Sequence, residues 1–317
     1  MFRKSRDTTQ TPARAPAHPP RKAPAPPPKP APRNAARPAA NRAPGQPQVA
    51  AAPADAPVLL HEHSGGVTLL TLNRPEARNS LSEAMLSALG GAFTAIAQDT
   101  KVRAVVIAAN GPAFCAGHDL KELTARRSDA DHGRAYFTQV MDACSAVMQA
   151  VVRLPQPVIA AVQGVATAAG CQLVASCDLA IASAQAGFCT PGVDIGLFCS
   201  TPGVALARNV PRKHAMNMLL TGETVSAEHA ARIGLVNRVV APGTEREHAI
   251  KLARQIAQKS AMTVRVGKEA FYRQIDMGLG DAYRFASHVM VENMLRRDAG
   301  EGIGAFLEKR TPAWEDR

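Results

Sequence analysis

Two short segments of this chain hold residue types suited to polarising a carbonyl oxygen. Phe114-Cys-Ala-Gly-His-Asp-Leu120 follows the apolar run Val102–Ala108, and Gly164-Val-Ala-Thr-Ala-Ala-Gly-Cys171 follows Pro157–Gln163. In both, a run of buried-strand character ends, small residues follow, and a helix is expected to begin. The first N–H groups of a helix have no partner inside it and lie at the positive end of its dipole. Glycine and alanine let a ligand oxygen approach those groups closely. A single turn of this kind is ordinary punctuation. Two of them facing one another make a pair of donors for one oxyanion.

Among the side chains nearby, His118 has two readings: an acid or base near neutral pH, or a polar group lining a pocket wall. Asp119 is placed to bond to the N–H groups of its own helix start. Asp194, in Pro191-Gly-Val-Asp-Ile-Gly196, shares a face with Gly192 if that stretch is extended; its plain alternative is a surface acid. Asp178 ends a helix and positions the strand after it. Ser200 and Thr201 have no evident base partner. The six cysteines form no C-x-x-C pair and have no zinc spacing, so they read as buried free thiols of a reducing compartment.

These groups need a frame. Val67–Leu72 is a short strand stopped by Asn73-Arg-Pro75. Ser80 or Ser82 caps a helix from Glu83 to about Gln98, with Met85, Leu89, Phe93 and Ile96 on one face. Val102–Ala108 and Pro157–Gln163 are continuous apolar strands, the type covered on both sides. Residues 119–153 are helical around a polar loop near Ser128–Gly133, a helix runs through Cys171–Cys177, and Leu179–Ala182 is a further strand. Strand, glycine turn, helix, strand thus occurs twice, which predicts an α/β architecture. Beyond Ser226 the pattern is helical, in segments 227–233, 245–260, 262–278, 280–298 and 300–309.

Composition divides the chain. Residues 1–57 hold 15 of the 24 prolines and ten Lys/Arg against two Asp, which is +8 of the total +11. Such a segment cannot bury enough apolar surface to offset the entropy of ordering, so it reads as a disordered basic extension. It suits a solvated linker, a targeting peptide, or a weak tether to RNA or an anionic surface. The remaining 260 residues carry only +3, so global charge gives no argument for nucleic-acid binding by the folded part. No apolar run is long enough to span a membrane. The expected organisation is an extension over 1–57, a core over 58–250 and a C-terminal helical region over 251–317.

From about Val58 to Pro312 the chain resembles the crotonase, or enoyl-CoA hydratase/isomerase, superfamily. The matching stretches include Leu72-Asn-Arg-Pro-Glu-Ala-Arg-Asn-Ser-Leu81, Ala113-Phe-Cys-Ala-Gly-His-Asp-Leu120, Pro155-Gln-Pro-Val-Ile-Ala-Ala-Val-Gln-Gly164 and Ala169-Gly-Cys-Gln-Leu-Val-Ala-Ser-Cys-Asp-Leu179, in the family's order and spacing. The resemblance implies a crotonase-type ββα spiral whose C-terminal helices build a trimer or a hexamer. It implies an oxyanion hole at the backbone N–H groups of His118 and Ala169, with Ala116, Gly117 and Gly170 around it. It places the adenine and pantetheine end of CoA near Glu76-Ala77-Arg78, with Lys268 a further contact for CoA phosphate. No cofactor or metal is expected; the CoA thioester is itself substrate or ligand.

The chain departs from the family where hydration needs it most. Hydration requires a water held between two carboxylates, one as base and one as proton donor. The positions that carry them in the family's hydratases are Gln172 and Gly192 here. An amide can orient a water but cannot take its proton. The expected activity is therefore acyl-CoA processing as a lyase or isomerase without two-glutamate hydration, with Asp194 as a substitute acid; double-bond isomerisation or decarboxylation and thioester hydrolysis by a positioned water both remain open to such a site. The alternatives are an acyl-CoA binder without catalysis, or a protein acting through its basic tail. The expected compartment is a bacterial cytosol, with the mitochondrial matrix as the alternative.

Overall fold

The computed structural model describes residues 56–317, so the basic extension lies outside the described residues except for its last two positions. The chain opens with β1 (Leu59–Ser64) and β2 (Val67–Leu72), an antiparallel hairpin. Its two-residue turn is Gly65-Gly66, both at positive φ, as the turns that match strand twist require. Then come α1 (Glu83–Gln98), β3 (Ala104–Ala109), β4 (Ala113–Cys115), α2 (Leu120–Ala125), α3 (Arg134–Arg153), β5 (Val158–Val162), β6 (Val165–Thr167), α4 (Ala169–Ser176), β7 (Leu179–Ser183), β8 (Gly187–Cys189), α5 (Ser200–Asn209) and α6 (Arg212–Thr221). β9 (Val225–Ser226), α7 (Ala227–Arg232), β10 (Arg238–Val240), α8 (Glu245–Ala257), α9 (Ala261–Gln274), α10 (Leu279–Met294) and α11 (Arg297–Leu307) complete the order.

The strands fall into two sheets. One has the order β1-β2-β3-β5-β7-β10, parallel from β2 onward; the other has β4-β6-β8-β9. Three successive units therefore repeat one path: a strand in the large sheet, a strand in the small sheet, then helix. These are β3-β4-α2, β5-β6-α4 and β7-β8-α5, which is the ββα spiral.

Period-two alternation divides the core. Val105 and Ile107 of β3 point into the cluster that holds Phe93, Phe114, Leu173 and Phe188. Ala104, Val106 and Ala108 point to the other side, where Ala249 and Ala253 of α8 cover the sheet. The 250/251 boundary expected from sequence consequently falls inside a helix: α8 is the outer layer of the core, and the helical region proper begins with α9.

The cap and the longer elements match expectation closely. Ser82 accepts the Met85 N–H at the start of α1, and that helix spans Glu83–Gln98. By contrast α10 has no buried residue, and Leu279, Tyr283, Met290 and Met294 on it are exposed, as are Phe306 and Leu307 of α11. Among the described residues no helix is long and apolar enough to cross a membrane.

One buried carboxylate ties the C-terminal segment down. Asp298 accepts the amides of Glu315 and Asp316, both at 2.9 Å, while Trp314 Nε1 donates to the Gln258 carbonyl. Burial alone would raise the Asp298 pKa, but donors from Ser260, Glu315 and Asp316 outweigh it and hold the carboxyl below its ordinary value. Asp298→Ala should cost about 2 kcal/mol and lower Tm by about 5 °C. A depressed folded pKa stabilises fully above the unfolded value and is lost as pH falls through the folded one. The stability gap between wild type and Asp298→Asn, followed by thermal melts from pH 7 downward, should therefore close only in acid, below 3.8.

Candidate active site

The first turn begins where β4 ends. The Ala116 N–H donates to the Arg78 carbonyl at 3.0 Å, and the Gly117 carbonyl accepts the Leu81 N–H at 2.7 Å. Gly117 turns the chain at φ +84°, a conformation that favours glycine. The Asp119 side chain accepts the Lys121 N–H and caps α2. It is also held by Arg74 at 3.3 Å and Ser80 at 3.1 Å. Burial pushes its pKa up, but these donors more than offset that and lower it.

The second turn begins where β6 ends. The Ala168 N–H donates to the Cys189 carbonyl at 2.9 Å. Ala168 has φ 50° and ψ −118°, a sparsely populated region for a residue with a Cβ. α4 starts at the next residue, so Ala169 presents a first-turn N–H. Neither the His118 nor the Ala169 N–H has an acceptor among the described residues.

The two turns touch. A Cβ placed on Gly117 would stand 3.0 Å from Ala168 Cβ, 3.2 Å from the Thr167 oxygen and 3.4 Å from the Ala169 nitrogen. A Cβ on Gly170 would stand 2.2 Å from the Cys115 oxygen, so glycine there is what lets the start of α4 close onto the end of β4. Ala116, Gly117, His118, Ala169 and Gly170 are thereby gathered at one place.

The surrounding side chains are unusual in having few partners. Both ring nitrogens of His118 are buried and unpartnered, as are Gln172 Oε1 and Thr190 Oγ1. Burial lowers the His118 pKa, opposed in part by the Leu81 backbone, and so favours the neutral imidazole. Gln172 lies in the first turn of α4 and is buried. Asp194 does not follow the alternation expected of it. Pro191–Ile195 is a 3₁₀ turn and not extended, so Gly192 is buried while Asp194 is exposed. Its Oδ2 stands 3.1 Å from where a Cβ on Gly222 would be, at the end of α6.

The family model for enoyl-CoA hydratase/isomerase matches residues 62–317. The chain belongs to the enoyl-CoA hydratase/isomerase family. Human enoyl-CoA hydratase domain-containing protein 3, mitochondrial, is 49% identical over 249 residues, covering 78% of this chain and 80% of the relative. A protein of Rhizobium meliloti named a probable enoyl-CoA hydratase is 36% identical over 260 residues, 82% of this chain and 98% of the relative. The crystal structure of an enoyl-CoA hydratase from Mycobacterium smegmatis superposes with a TM-score of 0.78 at 54% identity, covering 82% of this chain and 99% of that one. The fold is thus the crotonase fold expected from the sequence.

The residues expected to contact CoA fall in two places. Pro75–Ala77 is a 3₁₀ turn that ends on Arg78 in the left-handed region. Glu76 and Arg78 are exposed and Ala77 is half-buried. The Arg78 carbonyl holds Ala116, so this turn is bonded directly to the first donor turn. Lys268 is a correction. Its side chain is 8% exposed, and Nζ donates to Asp178 Oδ2 at 2.7 Å and to the carbonyls of Val151 and Gln156, both at 3.1 Å. All three ammonium hydrogens are used inside the fold, leaving none for a phosphate. Contrary to expectation, Asp178 does not hold the strand that follows it but the earlier β5: its Oδ2 accepts the Val158 N–H at 2.7 Å, and its Oδ1 accepts Tyr272 OH at 2.9 Å.

Three contributors escaped sequence reasoning. Asn79, buried at φ 53°, accepts the Arg74 N–H and donates to the carbonyls of Asn110 and Ala113, stapling the Pro75–Ala77 turn to β4. Thr190 gave no signal beyond an ordinary polar residue after a strand. Cys199 gave none, since only a loop that doubles back brings its thiol beside Gly192. Among the described residues no group of three or more His, Cys, Asp or Glu could hold a metal.

Proposed function

We propose that this chain processes an acyl-CoA thioester whose carbonyl oxygen accepts hydrogen bonds from the His118 and Ala169 N–H groups. The observation that carries this reading is the contact of two turns that each offer an unpartnered amide N–H. Charge grows on the oxygen when an α-proton or carboxylate leaves, or when a nucleophile adds to the carbonyl. Fixed donors stabilise that charge without having to reorganise. Glu76, Ala77 and Arg78 lie at the CoA end of this site, and no further cofactor takes part.

Gln172 and Gly192 argue against hydration by two carboxylates. Chemistry that needs one acid or base at most fits better: double-bond isomerisation, decarboxylation, or hydrolysis by a positioned water. A fatty-acid or acyl-CoA pathway supplies such thioesters. The exposed apolar faces of α10 and α11 fit self-association as a trimer or hexamer. The vertebrate relatives are named mitochondrial, and six unpaired thiols suit the matrix or a bacterial cytosol equally.

The test is a panel of crotonyl-CoA, a 3-enoyl-CoA and a malonyl-type thioester with the full chain. Crotonyl-CoA hydration should be about 10²-fold or more slower than in a relative with both carboxylates, since each contributes at least that much. Asp194→Ala should change turnover little, given its exposure. Hydration at the rate of a two-carboxylate relative would overturn the assignment. Tight acyl-CoA binding with no turnover on any thioester would instead support the non-catalytic binder.

A further inference from the structure

Residue 192 has no room for a side chain because another residue already stands there. A Cβ on Gly192 would lie 2.8 Å from Cys199 Sγ and 2.7 Å from the Leu197 oxygen. The loop doubles back to achieve this. The Leu197 N–H donates to the Gly192 carbonyl at 2.8 Å, and Gly196 turns the chain at φ +77°. Cys199 then heads α5 as its N-cap residue, with its thiol not used for capping. It is the most exposed of the six cysteines, at 8%.

A second observation on the same wall asks for a ligand. Gln172 Oε1 and Thr190 Oγ1 have no hydrogen-bond partner, and these residues are only 5% and 0% exposed. Buried acceptors are normally satisfied, so an unmet one calls for a donor from a bound molecule or water. Gln172 is three residues after Ala169. Positions three apart in a helix share a face, so Gln172 stands on the Ala169 side of α4. α4 packs against α5, and the thiols of Cys171, Cys189 and Cys199 lie near one another, Cys171 being the neighbour of Gln172. The first turn of α4 therefore faces the segment from Cys189 to Cys199.

We propose that Cys199 is a specificity-determining residue of the acyl site, presenting a thiol to the bound acyl chain at the wall where a side chain from 192 would otherwise stand. This rests on the acyl-CoA reading above. A thiol is small, apolar and only a weak donor, so the wall it forms receives an acyl chain by shape and supplies no carboxylate. Gly192 and Cys199 act as a pair: glycine makes the space and the thiol fills it.

Two measurements test this, both on the full chain. In the first, wild type is alkylated with iodoacetamide and its cysteine peptides are followed by mass spectrometry, with and without saturating butyryl-CoA, whose binding is measured separately by calorimetry. Cys199 should react in the free protein, and butyryl-CoA should slow that reaction about tenfold or more, as expected when a ligand removes access to a thiol. In the second, Cys199→Leu should weaken butyryl-CoA binding about tenfold, the size expected from overfilling a packed wall. The same variant should bind CoA itself as wild type does, which shows that it is folded. If butyryl-CoA binds but leaves Cys199 alkylation unchanged, or if Cys199→Leu binds butyryl-CoA normally, the inference falls and the acyl-CoA reading stands. A Cys199 that does not react in the free protein also overturns it. Wild type that binds no butyryl-CoA removes both.

Discussion

Gly117→Ala is expected to reduce thioester turnover by about 10²–10³-fold, the effect of losing one oxyanion donor. The cause is geometric. Residue 117 sits at φ +84°, where a Cβ costs about 1–2 kcal/mol. The new methyl would also stand 3.0 Å from Ala168 Cβ and 3.2 Å from the Thr167 oxygen. To relieve this contact the first turn must back away from the second. The His118 N–H then moves away from that of Ala169. Acyl-CoA kinetics beside a thermal melt will distinguish misplacement of the donor from unfolding. His118→Ala is the informative companion. It keeps the N–H and removes only an imidazole whose nitrogens have no partner. A small effect of His118→Ala beside a large one of Gly117→Ala assigns the role to the backbone; a large effect of both returns the side chain to the mechanism.

Lys268→Met should destabilise the fold by about 3–5 kcal/mol, because removing one member of a buried pair strands the other. Asp178 would retain only the Val158 N–H and Tyr272 OH, and the carbonyls of Val151 and Gln156 would lose their donor. Lys268→Arg should not restore stability, since a planar guanidinium cannot reach the same three acceptors from a compact point. The double variant Lys268→Met with Asp178→Asn should recover part of the loss, because no charge is then left unpaired. Urea unfolding measures all three. CoA affinity should be unchanged in whatever fraction remains folded. A selective loss of CoA affinity without loss of stability would instead restore Lys268 as a phosphate contact.

Lys268 also shows where sequence reasoning ends. A lysine on a late helix looks like a ligand for phosphate until its partner is known, and that partner lies 90 residues earlier in the chain. The elements that were legible are those whose own residues specify them. β3 and β5 are unbroken apolar runs, and α1 combines a Ser82 cap with one apolar face. The three-residue strands β4, β6 and β8 are too short to show a period, and exist because neighbouring strands complete them. α5 was hidden by Thr201-Pro-Gly203, which reads as a breaker, although a proline in a first turn needs no N–H. At the site, the small residues of both donor turns were visible. The Gly192–Cys199 contact was not, since nothing local says that position 199 folds back onto 192.

The ββα spiral itself acts as a ruler. His118 follows β4 and Ala169 follows β6, and these strands are neighbours in the small sheet. Adjacent strands lie about 4.8 Å apart. Two amides that each lie about 2.9 Å from a shared oxygen, and approach it about 110° apart, are separated by nearly the same distance. The spacing of the two turns thus follows from backbone ladder spacing, as long as glycine is kept at 117 and 170, where a Cβ would hold them apart. Evolution can replace every acid and base around such a site and still keep its calibration, because the measuring is done by the sheet.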